Sequence, residues 1–181
     1  MSVGLQRALA VYVEEKIPGA RCYADETANE QHKYPCFYLT EIDDKRKPLG
    51  CSRVDYVERD SQGKVTANAK LYEYETVIRF QCEAPSNVTR SGAQIVADLT
   101  KRLDLLFLET VKSRQKITFA DPVTSEPQEI VGIFSTSLMD IPPDTGGEPV
   151  LYRRAVSFKF VHRHVREEAV EHTMDRIHVT D

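Results

Sequence analysis

The stretch KLYEYETVIRFQCEA, residues 70–84, decides the fold. Tyr72, Tyr74, Thr76, Ile78, Phe80 and Cys82 fall on one side of a period-two count, and Glu73, Glu75, Arg79 and Gln81 fall on the other. Aromatic and β-branched residues dominate the first set, which suits a pleated surface with one covered face. Such one-sided alternation belongs to an antiparallel sheet, because a strand covered on both faces is apolar throughout.

The neighbouring segments fit around this strand. DSQGK, residues 60–64, is a turn in which Gly63 can take a positive φ, so residues 52–83 read as a long hairpin. YPCFYLTEI, 34–42, is another strand with Pro35 at its start, residues 20–25 suit a short strand, and DDKRKPLG, 43–50, reads as a charged turn. Residues 2–17 carry Leu5, Leu9, Tyr12, Val13 and Ile17 at helical spacing, with Ser2 as cap and Pro18-Gly19 as stop. APSN, 84–87, ends the hairpin and caps a helix running to about residue 113, with Val96, Leu99, Leu103 and Leu106 as its stripe and Ile95 and Phe107 beside it. IVGIFSTSLMDI, 130–141, is a strand, PPDTGGEP, 142–149, a turn-rich loop, and RRAVSFKFVHRH, 153–164, the last long strand. The expected fold is α+β: a mainly antiparallel sheet with a long hairpin, packed against two helices. Residues 1–164 form one domain and 165–181 a charged C-terminal tail.

Composition narrows the function classes. The formal net charge of −4 argues against a nucleic-acid binder, which needs a concentrated positive field. The four cysteines, Cys22, Cys36, Cys51 and Cys82, include no close pair of the kind zinc sites use. The opening apolar residues are interrupted by Gln6, Arg7, Glu14 and Glu15, and no run reaches membrane length, so the expectation is an intracellular chain with reduced thiols.

Three features invite a chemical reading. His162-x-His164 places two imidazoles on one strand face, a spacing that can chelate a metal given a third ligand from Glu168, His172 or His178. The plainer reading has both histidines following Val156, Phe158 and Phe160 out of the core to the strand's wet end. Arg153, Lys159 and Arg163 line the strand's other side, with Arg154 and Arg166 nearby, and Glu73 and Glu75 of the 70–83 arm suit them as cross-strand partners. The aromatics lie on the face opposite Lys159, whereas a single-strand nucleic-acid reader wants both on one surface. No phosphate-loop, nucleophile-elbow or zinc-protease motif occurs: Ser91-Gly92 lacks a feeding strand, Asp43-Asp44 is only adjacent in sequence, and Cys22, Cys36 and Cys82 suit small core residues. The chain is therefore expected not to be an enzyme and to carry no cofactor or catalytic metal.

An N-terminal amphipathic helix, an early YPCFYL strand, a long hairpin returning through YEYETVIRFQCEA, a long helix and a late YRRAVSFKFVHRH strand follow one another over residues 1–164. This order resembles the tail terminator (tail completion) proteins of tailed bacteriophages. The resemblance implies a structural virion protein, made in the host cytoplasm, that forms a hexameric ring. The ring caps the tail tube, ends its polymerisation and presents an upper surface to the neck or head connector. Partners would be further copies of the chain, the tube protein below, a neck or connector protein above, and a sheath where a tail has one, with no membrane and no sequence-specific nucleic acid. Candidate interface residues are Arg153, Lys159 and Arg163 on the last strand and Asp43, Asp44, Lys45, Arg46 and Lys47 in the charged turn. The loops 43–53 and 58–66 are further natural contacts. The alternatives are another ring protein of the phage neck or tail, a metal-dependent hydrolase using His162 and His164, and a small nucleic-acid-binding module.

Overall fold

The computed structural model describes residues 3–24, 33–45, 54–59, 65–120 and 127–169. The order of elements is α1 (Val3–Lys16), β1 (Arg21–Ala24), β2 (Cys36–Lys45), β3 (Val54–Arg59), β4 (Val65–Pro85), α2 (Gly92–Lys112), β5 (Ile117–Ala120), β6 (Pro127–Asp144) and β7 (Leu151–Ala169). The strands make one sheet in the order β1-β2-β4-β7-β6-β5, with β3 also paired to β4. All ladders are antiparallel except β1 on β2. The fold is thus α+β, a mainly antiparallel sheet with two helices.

β4 is the organising strand. β7 pairs with it from Ala67 opposite Ala169 to Pro85 opposite Leu151. On its other edge β4 serves two partners end to end. β2 takes the half from Glu75 to Glu83, and β3 takes the half from Val65 to Lys70. The alternating apolar set of 70–84 explains why the helices choose this face: Thr76, Ile78, Phe80, Cys82 and Ala84 are all buried. Val156, Phe158 and Phe160 stand opposite Phe80, Ile78 and Thr76 in the ladder, so the two longest ladder partners share one buried face.

Both helices cover that face. α1 supplies Leu5, Leu9, Val13 and Ile17, and α2 supplies Val96, Leu99, Leu103 and Phe107, all to one core cluster. The aromatic rings interlock edge to face: Phe107 lies 4.8 Å from Phe158 and 5.5 Å from Phe160, and Phe80 lies 5.6 Å from Phe107, centroid to centroid. Burying a side chain of this size contributes on the order of 1.5–3 kcal/mol. Tyr12 of α1 and Thr110 of α2 share a 2.7 Å hydrogen bond between their hydroxyls, which ties the helices together.

The structure corrects the sequence reading at several points. The cap of α2 is Ser91, not the 84–87 segment. Its side chain accepts the N–H of Gln94, whose own side chain returns to the Ser91 N–H, a reciprocal capping box. Asn87 instead folds the turn before the helix by accepting the N–H groups of Thr89 and Arg90. Asp43, Asp44 and Lys45 are not a turn but the end of β2, opposite Val77, Thr76 and Glu75 after a register shift past Glu41. Arg46 and Lys47 lie outside the described residues, as do Ser2 and the 60–64 hairpin tip. β6 continues through Pro142 and Pro143 to Asp144, leaving only 145–149 as the turn. β7 continues to Ala169, so five residues assigned to the charged tail belong to the sheet. Backbone pairing to β4 extends the strand there with no apolar alternation to announce it.

Candidate interaction surface

The outer face of the sheet carries Arg153, Lys159 and Arg163, and each of these has a partner within the chain. Arg163 donates through Nη2 at 2.7 Å and Nε at 3.2 Å to Oε1 of Glu73, its direct ladder partner. Lys159 Nζ lies 3.3 Å from Glu75 Oε1 and 5.2 Å from the centroid of the Phe134 ring. Arg153 donates from Nε and Nη2 to the Pro142 carbonyl, at 3.2 and 3.0 Å, and its Nη1 lies 3.7 Å from Asp144. Arg154, on the opposite face, is bridged to Asp140. The pairing of Glu73 and Glu75 with the cations of β7 is as the sequence suggested. Half-exposed pairs of this kind contribute ~0–1 kcal/mol each. Their arrangement sets register more than stability.

His162 departs from expectation. It is buried, not at a wet strand end. Nδ1 lies 2.6 Å from Gln128 Oε1 on β6, and Nε2 lies 3.1 Å from Thr76 Oγ1 on β4. A neutral ring with its hydrogen on Nδ1 satisfies both contacts, because an amide oxygen only accepts and a hydroxyl can donate. The ring also stacks on Tyr74 at 5.5 Å and meets the edge of Phe119 at 5.4 Å. With both nitrogens so engaged, His162 bridges three strands. Glu168, one candidate third ligand, is four strand positions beyond His164, ~13 Å along β7. His172 and His178 lie outside the described residues, and among the described residues no cluster of three or more possible metal ligands occurs.

The described thiols are insulated. Cys36 and Cys82 are buried and Cys22 half-buried. Burial first, then the neighbouring Glu83, pushes the Cys36 thiol up to about 12, against a hydrogen bond from Tyr38 that lowers it. Burial likewise raises Cys22 and Cys82 well above the usual thiol range, with Glu14 and Cys36 adding to the first and Cys36 and Cys22 to the second. Such thiols are poor nucleophiles. Cys51 lies outside the described residues.

What sequence reasoning missed is the edge of β6. β5 pairs only with residues 127–130 of β6. Among the described residues nothing pairs with the same edge of β6 from 131 onward. Along this edge Val131, Phe134, Leu138 and Met139 are 43%, 52%, 65% and 53% exposed, far more apolar surface than the covered strands show. Beside it, where the end of α2 meets β6, lies a cleft of about 250 Å³ whose lining includes Val111, Ile130, Val131 and Ile133 together with Arg114 and Lys116. The signals were present. Gly132 and the Pro142-Pro143 pair are residues that strands tolerate at edges. The apolar run 130–141 reads equally well as a covered strand, and that ambiguity hid the edge.

Among the described residues the surface offers paired charges, an open apolar sheet edge and an extension of strands. No protein-family model and no curated protein matches the chain.

Proposed function

We propose that this chain is a structural protein of a bacteriophage virion that forms a ring on the end of the tail tube, halts tube growth and carries the contact to the neck. The observation that supports this reading best is the shape of the sheet. β3, the first part of β4 and the last residues of β7 pair with one another beyond the point where β2 and β6 end, at Lys45 opposite Glu75 and Gln128 opposite His164. β4 runs ~23 Å from Tyr72 to Val65 at ~3.3 Å per residue, and over Ala67 to Lys70 the arm is three strands wide. A projecting arm at one side and an open edge at the other allow a contact between unlike surfaces of identical copies, the kind that closes into a ring. The resemblance in element order supplies the place of that ring. The closed ring gives the tube end a surface unlike that of a tube subunit, so addition stops there.

Cryo-electron microscopy of tails from a lysate containing this chain tests the proposal. One ring of the chain is expected at the head-proximal end of each tube. Rings stacked along the tube, or particles without the chain, would overturn it.

A further inference from the structure

We propose that the open edge of β6, residues 131–141, is completed by β3 of a second copy of this chain, so that one sheet runs on into the next. The inference rests on the ring reading for its head-to-tail sense.

The two ends of the sheet are treated differently. At the β1 end the Arg21 N–H turns inward to the Pro35 carbonyl, and the next N–H, that of Cys22, is taken at 2.8 Å by the Glu14 carboxylate. A side chain of α1 therefore blunts that edge, a common protection against strand addition. At the β6 end, among the described residues, backbone from 131 to 141 has no such cover, and Phe134, Leu138 and Met139 stand exposed along it. A bare apolar edge is a docking template or an aggregation hazard. This one is also restricted. Register shifts fall between Ile130 and Gly132, between Ser135 and Ser137, and between Ile141 and Asp144. Pro142 and Pro143 have no N–H to offer. The regular run between the last two shifts is 137–141, short enough to admit one short strand in one register and to reject long ones.

β3 fits that run. It has six residues, Val54–Arg59, and pairs with β4 alone, so its second edge is unpaired among the described residues. It sits on the projecting arm, where it can reach another copy without moving the helix-covered core. Its sequence, VDYVER, is half apolar, and 137–140 of β6 is SLMD, so neither strand brings a run of like charge against the other.

The test places the photo-reactive residue benzoylphenylalanine at Leu138, whose 65% exposure tolerates it, in the full-length chain. Isotopically light and heavy chains are mixed, so that links between copies are distinguished from links within one. The expected product joins position 138 to residues 54–59 of another copy. Leu138→Glu should weaken self-association at least tenfold while leaving the circular dichroism spectrum and melting temperature unchanged. Links to 131–141 of the other copy would mean twofold edge pairing and would overturn the proposal. So would links to a different protein, or a chain that stays monomeric at millimolar concentration and gives no link between copies. The two readings fail separately. A β6–β3 link in an assembly absent from tails sinks the terminator reading and keeps this contact. A terminal ring linked through other residues sinks this contact and keeps the terminator.

Discussion

Thr76 Oγ1 and His162 Nε2 lie 3.1 Å apart inside the sheet, and the other ring nitrogen is 2.6 Å from Gln128 Oε1. Three neighbouring strands, β4, β7 and β6, are joined through one imidazole. His162→Ala removes the ring and leaves buried polar groups facing a cavity, so a loss of about 2–4 kcal/mol is expected. Thr76→Val should cost about 1–3 kcal/mol. Urea unfolding measures both. His162→Ala at wild-type stability would show that the bridge contributes nothing.

Gly92 opens α2 where the helix passes the end of β4. An added Cβ would lie 2.7 Å from the Ala84 carbonyl oxygen and would also collide with the Tyr152 ring. The gain in helix propensity from Gly92→Ala is at most ~1 kcal/mol. Overpacking against backbone costs about 1–3 kcal/mol. The variant should therefore melt below the wild type, and a higher melting temperature would refute the clash.

Ser91→Ala tests the capping box one residue earlier. Losing the hydroxyl that accepts the Gln94 N–H should cost ~1 kcal/mol. Ser91→Asp restores an acceptor and should recover most of that loss, whereas Ser91→Val should not.

Phe107 touches Phe80, Phe158 and Phe160 at once. Phe107→Ala is expected to lose about 3–5 kcal/mol, and Phe107→Leu much less. Equal losses in the two variants would mean that the site collapses around either side chain.

The buried thiols make stability depend on alkaline pH. Their ordinary value is 9.0, and the fold raises all three described thiols, Cys36 to about 12. Above pH 9.0 the unfolded chain loses protons that the folded chain keeps. Stability present below that pH therefore falls as pH rises toward about 12, by on the order of 1 kcal/mol per pH unit for each thiol. The slope of unfolding free energy between these limits should shrink in Cys82→Ala, although that variant is less stable throughout. An unchanged slope would remove Cys82 from the linkage.

How far the sequence could be read depends on what each element is built from. The alternation of 72–82 and the stripe Val96, Leu99 and Leu103 were legible because burial selects side chains at fixed periods, and Ile78, Phe80 and Cys82 join that stripe in the core, whereas Tyr74 is only half-buried. β5 went unread because ITFA is too short to show a period. The last residues of β2 and β7, including Asp44 and Glu168, were unread because backbone pairing holds them, and charged residues there mimic a turn or a tail. The ion pairs Arg163–Glu73 and Lys159–Glu75 were legible once two strands were assumed adjacent, since opposite charges at directly facing positions, as in the first pair, or diagonal ones, as in the second, select one another. The exposure of Leu138 and Met139 was not, because which strand stands at an edge is a property of the whole sheet order.

The unbroken β4–β7 ladder has a mechanical consequence. It runs without a register shift from the arm to the start of α2, Ala67 opposite Ala169 through Pro85 opposite Leu151. A pull along the arm loads these backbone bonds in shear, all together, whereas a pull across the sheet peels them one by one. The arm is therefore stiff along its length and joined directly to the aromatic core around Phe80 and Phe158. Tension applied at its tip is passed along this ladder to the strand positions that carry Phe80 and Phe158, the rings that Phe107 of α2 packs against.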